Sequence, residues 1–248
     1  MHDLESAESV AREIDRITQA AHPVHPFELA LPPERLEPIL AEYLAVTTAL
    51  PYIRAGAVGL IAFDRMATGD EFEPSDDLTF AMTMMAAWHE IGGTRLVLEC
   101  GTRGLPLILD TGEHFDSSLL RLDVSRLLGK DVQASFSPVT RRYLFRLHAG
   151  FADLDIIGRA AFLVSQHTHA TRMLTALIAR IRDAYGVSAG QLAYFNLHVD
   201  DPTHASRTET LLGMIPRAVP PSHADDFYQR YEAAYTLHTW WCESITTL

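Results

Sequence analysis

Leu163, Gln166, Ala170, Leu174, Leu177 and Ile181 recur at steps of three and four between Leu154 and Gly186. That spacing returns to one face at every turn of an α-helix, whereas a strand would scatter it over both faces. The segment therefore reads as one long helix over Leu154 to Tyr185, with Gly186 as its stop. A stripe of this kind is stable only when other helices cover it.

The same period recurs along most of the chain. Leu4 to Ala21 is amphipathic and ends at His22-Pro23. Pro32-Pro33 opens a helix to about Leu50, with Leu36, Ile39, Leu40, Tyr43 and Leu44 at helical spacing. Pro74-Ser75-Asp76-Asp77 starts another, with Ser75 suited to the N-cap. Leu78 to Trp88 is apolar nearly all round, which predicts burial on most sides. Helices resume from near Gly112 to Leu128, from Pro138, from Ser188 to Ile215 and from Ser222 to Ile245. Only Leu96 to Leu109 breaks the pattern. Two leucine-rich stretches flank Gly101-Thr102-Arg103-Gly104 there, as a short hairpin or an ordered loop would. The expectation is an all-α bundle of about seven helices, one domain over residues 1–248, with an irregular or hairpin insertion near 95–112.

Composition narrows the function. Twenty Lys and Arg stand against 32 Asp and Glu, a formal charge of −12, which disfavours nucleic acid and anionic membranes as partners. The two cysteines form no Cys-x-x-Cys, so a zinc ribbon or thioredoxin motif is excluded. Apolar runs such as Ala57 to Phe63 are too short to span a bilayer, and the acidic start is unlike a signal peptide. A cytoplasmic protein is expected, with a small-molecule substrate and a second copy of itself, as a homodimer, for partners.

Chemistry concentrates in His198-Val-Asp-Asp-Pro-Thr-His204. Read as a helix, His198, Asp201 and His204 lie at i, i+3 and i+6, fanning over about 120° of one face. Two imidazoles and a carboxylate are what a non-heme iron site needs. Pro202 leaves the His198 carbonyl without its i+4 donor, a distortion often found at functional sites. A polar helix end with two satisfied histidines fits the same residues. Glu90 follows an apolar helix and must be paired, protonated or metal-bound. Gln166 lies on the core stripe. Arg141-Arg142 could clamp a substrate carboxylate, or form a solvated basic turn. The Met82, Met84 and Met85 group reads as core. No Gly-rich phosphate loop or Gly-x-Ser-x-Gly elbow is present.

In this order the segments resemble the heme-oxygenase-like superfamily, and within it the iron-containing dimetal oxidases and oxygenases. His25-Pro26-Phe27 with Tyr43 is similar to the opening helix, and Trp88-His89-Glu90-Ile91-Gly92-Gly93 to the Glu-x-Gly element. His114-Phe115 looks like the His helix, and Tyr194-Phe195-x-x-His198 through His204 like the final His-Asp-His helix. The resemblance implies Glu90, His114, His198, Asp201 and His204 as metal ligands, with Glu90, His198 and His204 catalytic. It implies Fe(II) and O₂, and oxidation of a small amino-acid-like or amine substrate in specialised metabolism. It also implies convergence of Glu90, His114, His198 and His204 on one cavity, with Arg95 to Glu113 at its mouth or on the surface.

Three departures stand out. The last motif has one residue fewer between His198 and the acid, which leaves Asp200 or Asp201 open. Glu90 and His114 are far apart. Gln166 replaces the second Glu ligand, and His167 or His169 could substitute. The resemblance then implies two iron ions with one weakly bound, and a second site that Gln166→Glu should tighten. A metal-free enzyme of the same fold and a non-catalytic helical binding protein are the alternatives.

Overall fold

The computed structural model describes Leu4, residues 6–199 and residues 204–248, and every regular element among them is helical. In chain order these are α1 (Ala7–Ala21), α2 (Leu36–Thr68), α3 (Pro74–Glu90), α4 (Gly93–Cys100), α5 (Thr111–His114), α6 (Asp116–Leu128), α7 (Pro138–Phe151), α8 (Ile156–Tyr185), α9 (Ala193–Val199), α10 (His204–Ala218) and α11 (Ala224–Thr246). The all-α expectation holds, with more helices than the sequence pattern separates.

α8 is the spine. Its stripe residues Leu163, Leu174, Leu177 and Ile181 are buried, and α11 lies along it. α1 starts at Ser6, whose hydroxyl accepts the Ser9 N–H at 3.1 Å, and buries Val10, Ile14 and Ile17 at steps of four and three.

α2 runs well past the expected end near Leu50. Pro51 sits inside it, and the helix stops only at Gly69, whose φ is 76°. Pro51 removes the rung to the Thr47 carbonyl. Buried residues on both sides, from Leu36 to Thr47 and at Arg54 and Ala57, keep the helix docked across that gap. Pro33–Thr68 is long and apolar enough to cross a membrane by length and composition, although its N-terminal half is core. Tyr52, Leu60, Phe63 and Met66 are exposed on its outer face.

Two expectations about α3 fail. Pro74 is the first helical residue and Glu73 the cap, so Ser75 falls inside the first turn. The helix is also not apolar-buried all round, because Phe80 and Met85 are exposed while Asp76, Thr79 and Thr83 are buried. Arg159 of α8 explains the orientation. Its side chain is 2% exposed, pairs with Asp76, donates to Thr79 Oγ1 at 3.1 Å and donates to the Asp153 carbonyl. A buried guanidinium needs those acceptors, so α3 turns its polar edge inward.

The hairpin alternative for 95–112 is not formed. α4 passes into a 3-10 segment, Gly101–Leu109, and then α5. Leu98, Leu107 and Leu109 are exposed there, so the segment lies on the surface. The expected helix over Ser188 to Ile215 is divided into a 3-10 turn (Ala189–Gln191), α9 and α10.

Candidate metal centre

α2, α3, α4 and α6 to α11 line a cavity of about 380 Å³. Its walls are largely apolar, including Leu50, Met82, Leu163, Leu174 and Trp241, and two sets of its polar groups bear on metal binding.

The first set is His89, Asp116 and His198, from the end of α3, the start of α6 and α9. One donor atom from each lies within 4.8 Å of the others. His198 Nε2 is 3.2 Å from Asp116 Oδ2, and the Asp116 side chain is 3% exposed. The His89 and His198 rings meet edge-on with centroids 5.6 Å apart. The Tyr194 ring packs on His198 at 4.4 Å, and its hydroxyl is hydrogen-bonded to that of Tyr43 on α2. Burial pushes both phenols well above their ordinary range, so they stay protonated.

α9 is held in place from α6. The Asp123 carboxylate, fully buried, accepts the N–H groups of Ala193 at 2.8 Å, Tyr194 at 2.7 Å and Phe195 at 3.4 Å. These are first-turn donors of α9 that no intrahelical carbonyl can reach. Burial raises the Asp123 carboxyl and the three N–H groups pull it back. Asp116 and Asp123 are seven residues apart, two turns along one face of α6. One helix thus supplies a donor to the cluster and also the cap that sets His198. Asp123→Asn puts an NH₂ against backbone donors. It should cost about 1–2 kcal/mol of stability and weaken metal uptake roughly 10-fold or more. Thermal melting and metal titration measure the two effects, and unchanged metal affinity would sink this positioning role.

The second set is Arg54, Glu90 and Gln166. Arg54 Nη1 lies 2.7 Å from Glu90 Oε1, with the side chains 6% and 11% exposed. Arg54 Nη2 donates to Gln166 Oε1 at 2.7 Å, and its guanidinium lies 5.2 Å from the Phe151 ring centroid. Burial lowers the Arg54 pKa against the pull of Glu90 and Asp116. Burial raises Glu90 to about 7, with Arg54 opposing and Asp116 reinforcing the rise.

The first set fits a divalent cation. Asp116 Oδ1 is buried with no hydrogen-bond partner among the described residues, and the same is true of Glu90 Oε2. A bare buried acceptor costs on the order of 1–3 kcal/mol. His198 Nε2 is close to Asp116 but poorly aligned for a hydrogen bond. Donors that converge without bonding one another suit an ion between them, and two imidazoles with one carboxylate are the ligand set of non-heme Fe(II) sites.

A second convergence, His25, His169 and Cys242, does not fit an ion. The Phe27 N–H donates to His25 Nδ1 at 3.1 Å, so the neutral ring carries its proton on Nε2. That nitrogen lies 3.3 Å from His169 Nε2 and is its hydrogen-bond donor, with no lone pair left for a metal. Burial holds His25 down to about 4 and pushes the Cys242 thiol up.

The expected residues are distributed unequally. Glu90, Gln166, His167 and His198 line the cavity. His167 Nε2 is 2.8 Å from Thr208 Oγ1. His114 is not brought to the cavity lining. Its carbonyl lies where a Cβ on Gly92 would come within 2.3 Å, and its Nδ1 is 3.1 Å from Arg95 Nη2. It backs the Gly92 turn instead. Arg141 and Arg142 are exposed on α7, away from the lining. Asp200 and Asp201 lie outside the described residues, as does the side chain of His204. The pattern reading missed His89, Asp116 and Arg54. Arg54 had a usable signal, since it is a lone cation among the apolar residues from Leu44 to Ile61.

No protein-family model and no curated protein sequence matches the chain. Among solved structures, the chain is similar to the crystal structure of a CADD-like protein of unknown function from Nostoc punctiforme. The TM-score is 0.68 at 12% identity, with 97% of each chain covered. What the two share is the fold, an all-α bundle along nearly their whole lengths.

Proposed function

We propose that this chain is a non-heme iron oxidoreductase that uses O₂ on a small substrate, with His89, Asp116 and His198 holding the metal. The observation that carries the reading is the convergence of two imidazoles on a buried carboxylate that has an unpartnered oxygen, at the wall of a cavity. Fe(II) held there supplies the redox chemistry with O₂ and leaves coordination positions open.

The rest falls to the protein. Apolar walls exclude water and strengthen every polar contact inside. Arg54 fixes one oxygen of Glu90 and leaves Oε2 as a buried acceptor with no partner among the described residues. With its carboxyl raised to about 7, Glu90 can hold or release a proton at that atom near neutrality. Arg141 and Arg142 have no part in this, so a substrate carboxylate would need another partner.

The test is an anaerobic Fe(II) titration followed by O₂ exposure, watched by optical and Mössbauer spectroscopy. Uptake of an ion at nitrogen- and oxygen-type ligands, with an O₂-dependent spectral change, supports the reading. Absence of uptake at millimolar Fe(II) would remove it and leave a metal-free enzyme or binding protein of this fold. Arg54, which already neutralises Glu90, gives that second reading its support.

A further inference from the structure

The geometry points to Arg54 as a built-in second cation. It stands between Glu90 and Gln166 where a second metal ion would otherwise sit, so this is a one-metal centre. The inference rests on the metal reading of His89, Asp116 and His198.

Arg54 comes from α2, one turn after Pro51, and reaches across to α3 and α8. Two oxygens from different helices, Glu90 Oε1 and Gln166 Oε1, each take one of its nitrogens at 2.7 Å. A planar guanidinium is the side chain that can bridge two such acceptors and stay charged. Asp116 adds its field to both Arg54 and Glu90, so all three belong to one electrostatic unit.

Charge accounting favours one ion. With Glu90 ionised, Arg54, Glu90 and Gln166 sum to zero. A dication added beside a fixed guanidinium would leave two positive charges uncompensated in a desolvated pocket, which is strongly unfavourable. Glu at position 166 would not by itself change this. It would pair with Arg54 and leave the position filled, contrary to the expectation from sequence that Gln166→Glu tightens a second site. Only when the guanidinium is removed does a carboxylate there have a metal to bind. In Arg54→Met/Gln166→Glu the set carries two negative charges, and one dication restores the wild-type sum.

The experiment is an anaerobic titration of chelator-treated full-length protein with Fe(II), and with Mn(II) as a redox-inert control. Stoichiometry is read by elemental analysis and calorimetry, and melting temperature is followed with and without metal. Wild type and Gln166→Glu should each take one ion per chain. Arg54→Met/Gln166→Glu should take two, with a metal-dependent rise in melting temperature larger than that of wild type. Two ions in wild type, or a second ion gained by Gln166→Glu alone, would overturn the inference while leaving the metal reading intact. So would a folded double variant that still takes one. No ion in any of the three overturns the metal reading itself. Gln166→Glu keeps every wild-type charge partner, so the inference stays exposed even if the double variant does not fold.

Discussion

Asp116→Ala is expected to lower Fe(II) affinity by on the order of 100-fold or more, because it removes a ligand rather than one of the outer partners whose loss costs 10–100-fold. Asp116 is the only anion among the three donors. Without it two neutral imidazoles remain, and Arg54 repels the incoming ion across the same cavity. Stability should move the other way. The carboxylate is buried and one of its oxygens has no donor, so deleting it relieves a desolvation cost. Loss of metal uptake with an unchanged or higher melting temperature of the metal-free protein is the expected signature. A variant that binds Fe(II) as well as wild type would show that the ligands are elsewhere. One that unfolds would show that Asp116 is there to hold the fold.

Acid should destabilise the protein steeply between pH 7 and 5. Burial holds His25 at about 4 and His238 at about 3, against an ordinary value of 6.5, and pushes His169 well below it. The folded state refuses protons that the unfolded chain accepts. The contribution is therefore complete above pH 6.5 and is lost progressively as pH falls toward those depressed values. At pH 5 His25 and His238 each cost about 2 kcal/mol, and His169 acts in the same direction. Glu90 and Asp123, held above their usual range, act in the opposite direction as pH falls. Three histidines against these two acids leave a net loss, drawn from the roughly 5–15 kcal/mol of an ordinary domain. Urea unfolding at pH 7, 6 and 5 measures it. His25→Gln should flatten the curve. A midpoint that does not move over this range would mean that these histidines charge freely in the folded protein.

The sequence pattern was most legible where packing is local. The α8 stripe appears in the core with the register that its three-and-four spacing requires. Glu90, Gln166 and His198 were legible as polar residues in apolar settings, and they line one cavity. The errors share a cause. α3 turns its polar edge inward because of Arg159, and Arg159 lies 83 residues further along the chain than Asp76. Asp116 gains meaning only from partners on other helices, which no local period reveals, and Arg54 stood out as a lone cation without showing what it pairs with. Pro51 reads as a stop, but tertiary contacts on both sides of it outweigh one missing hydrogen bond. His114 followed a family order that its place behind the Gly92 turn does not support.

Seven residues of α9 are described. Isolated helices shorter than about 12–15 residues are marginal in water. It persists because Asp123 holds its first turn and because Tyr194 and Phe195 are buried. His198 is therefore a donor on a segment whose helicity is borrowed from its neighbours. If the centre holds an ion as proposed, its residence time follows how often that segment undocks, and its release is a sub-global opening of the kind that amide exchange detects before the bundle as a whole comes apart.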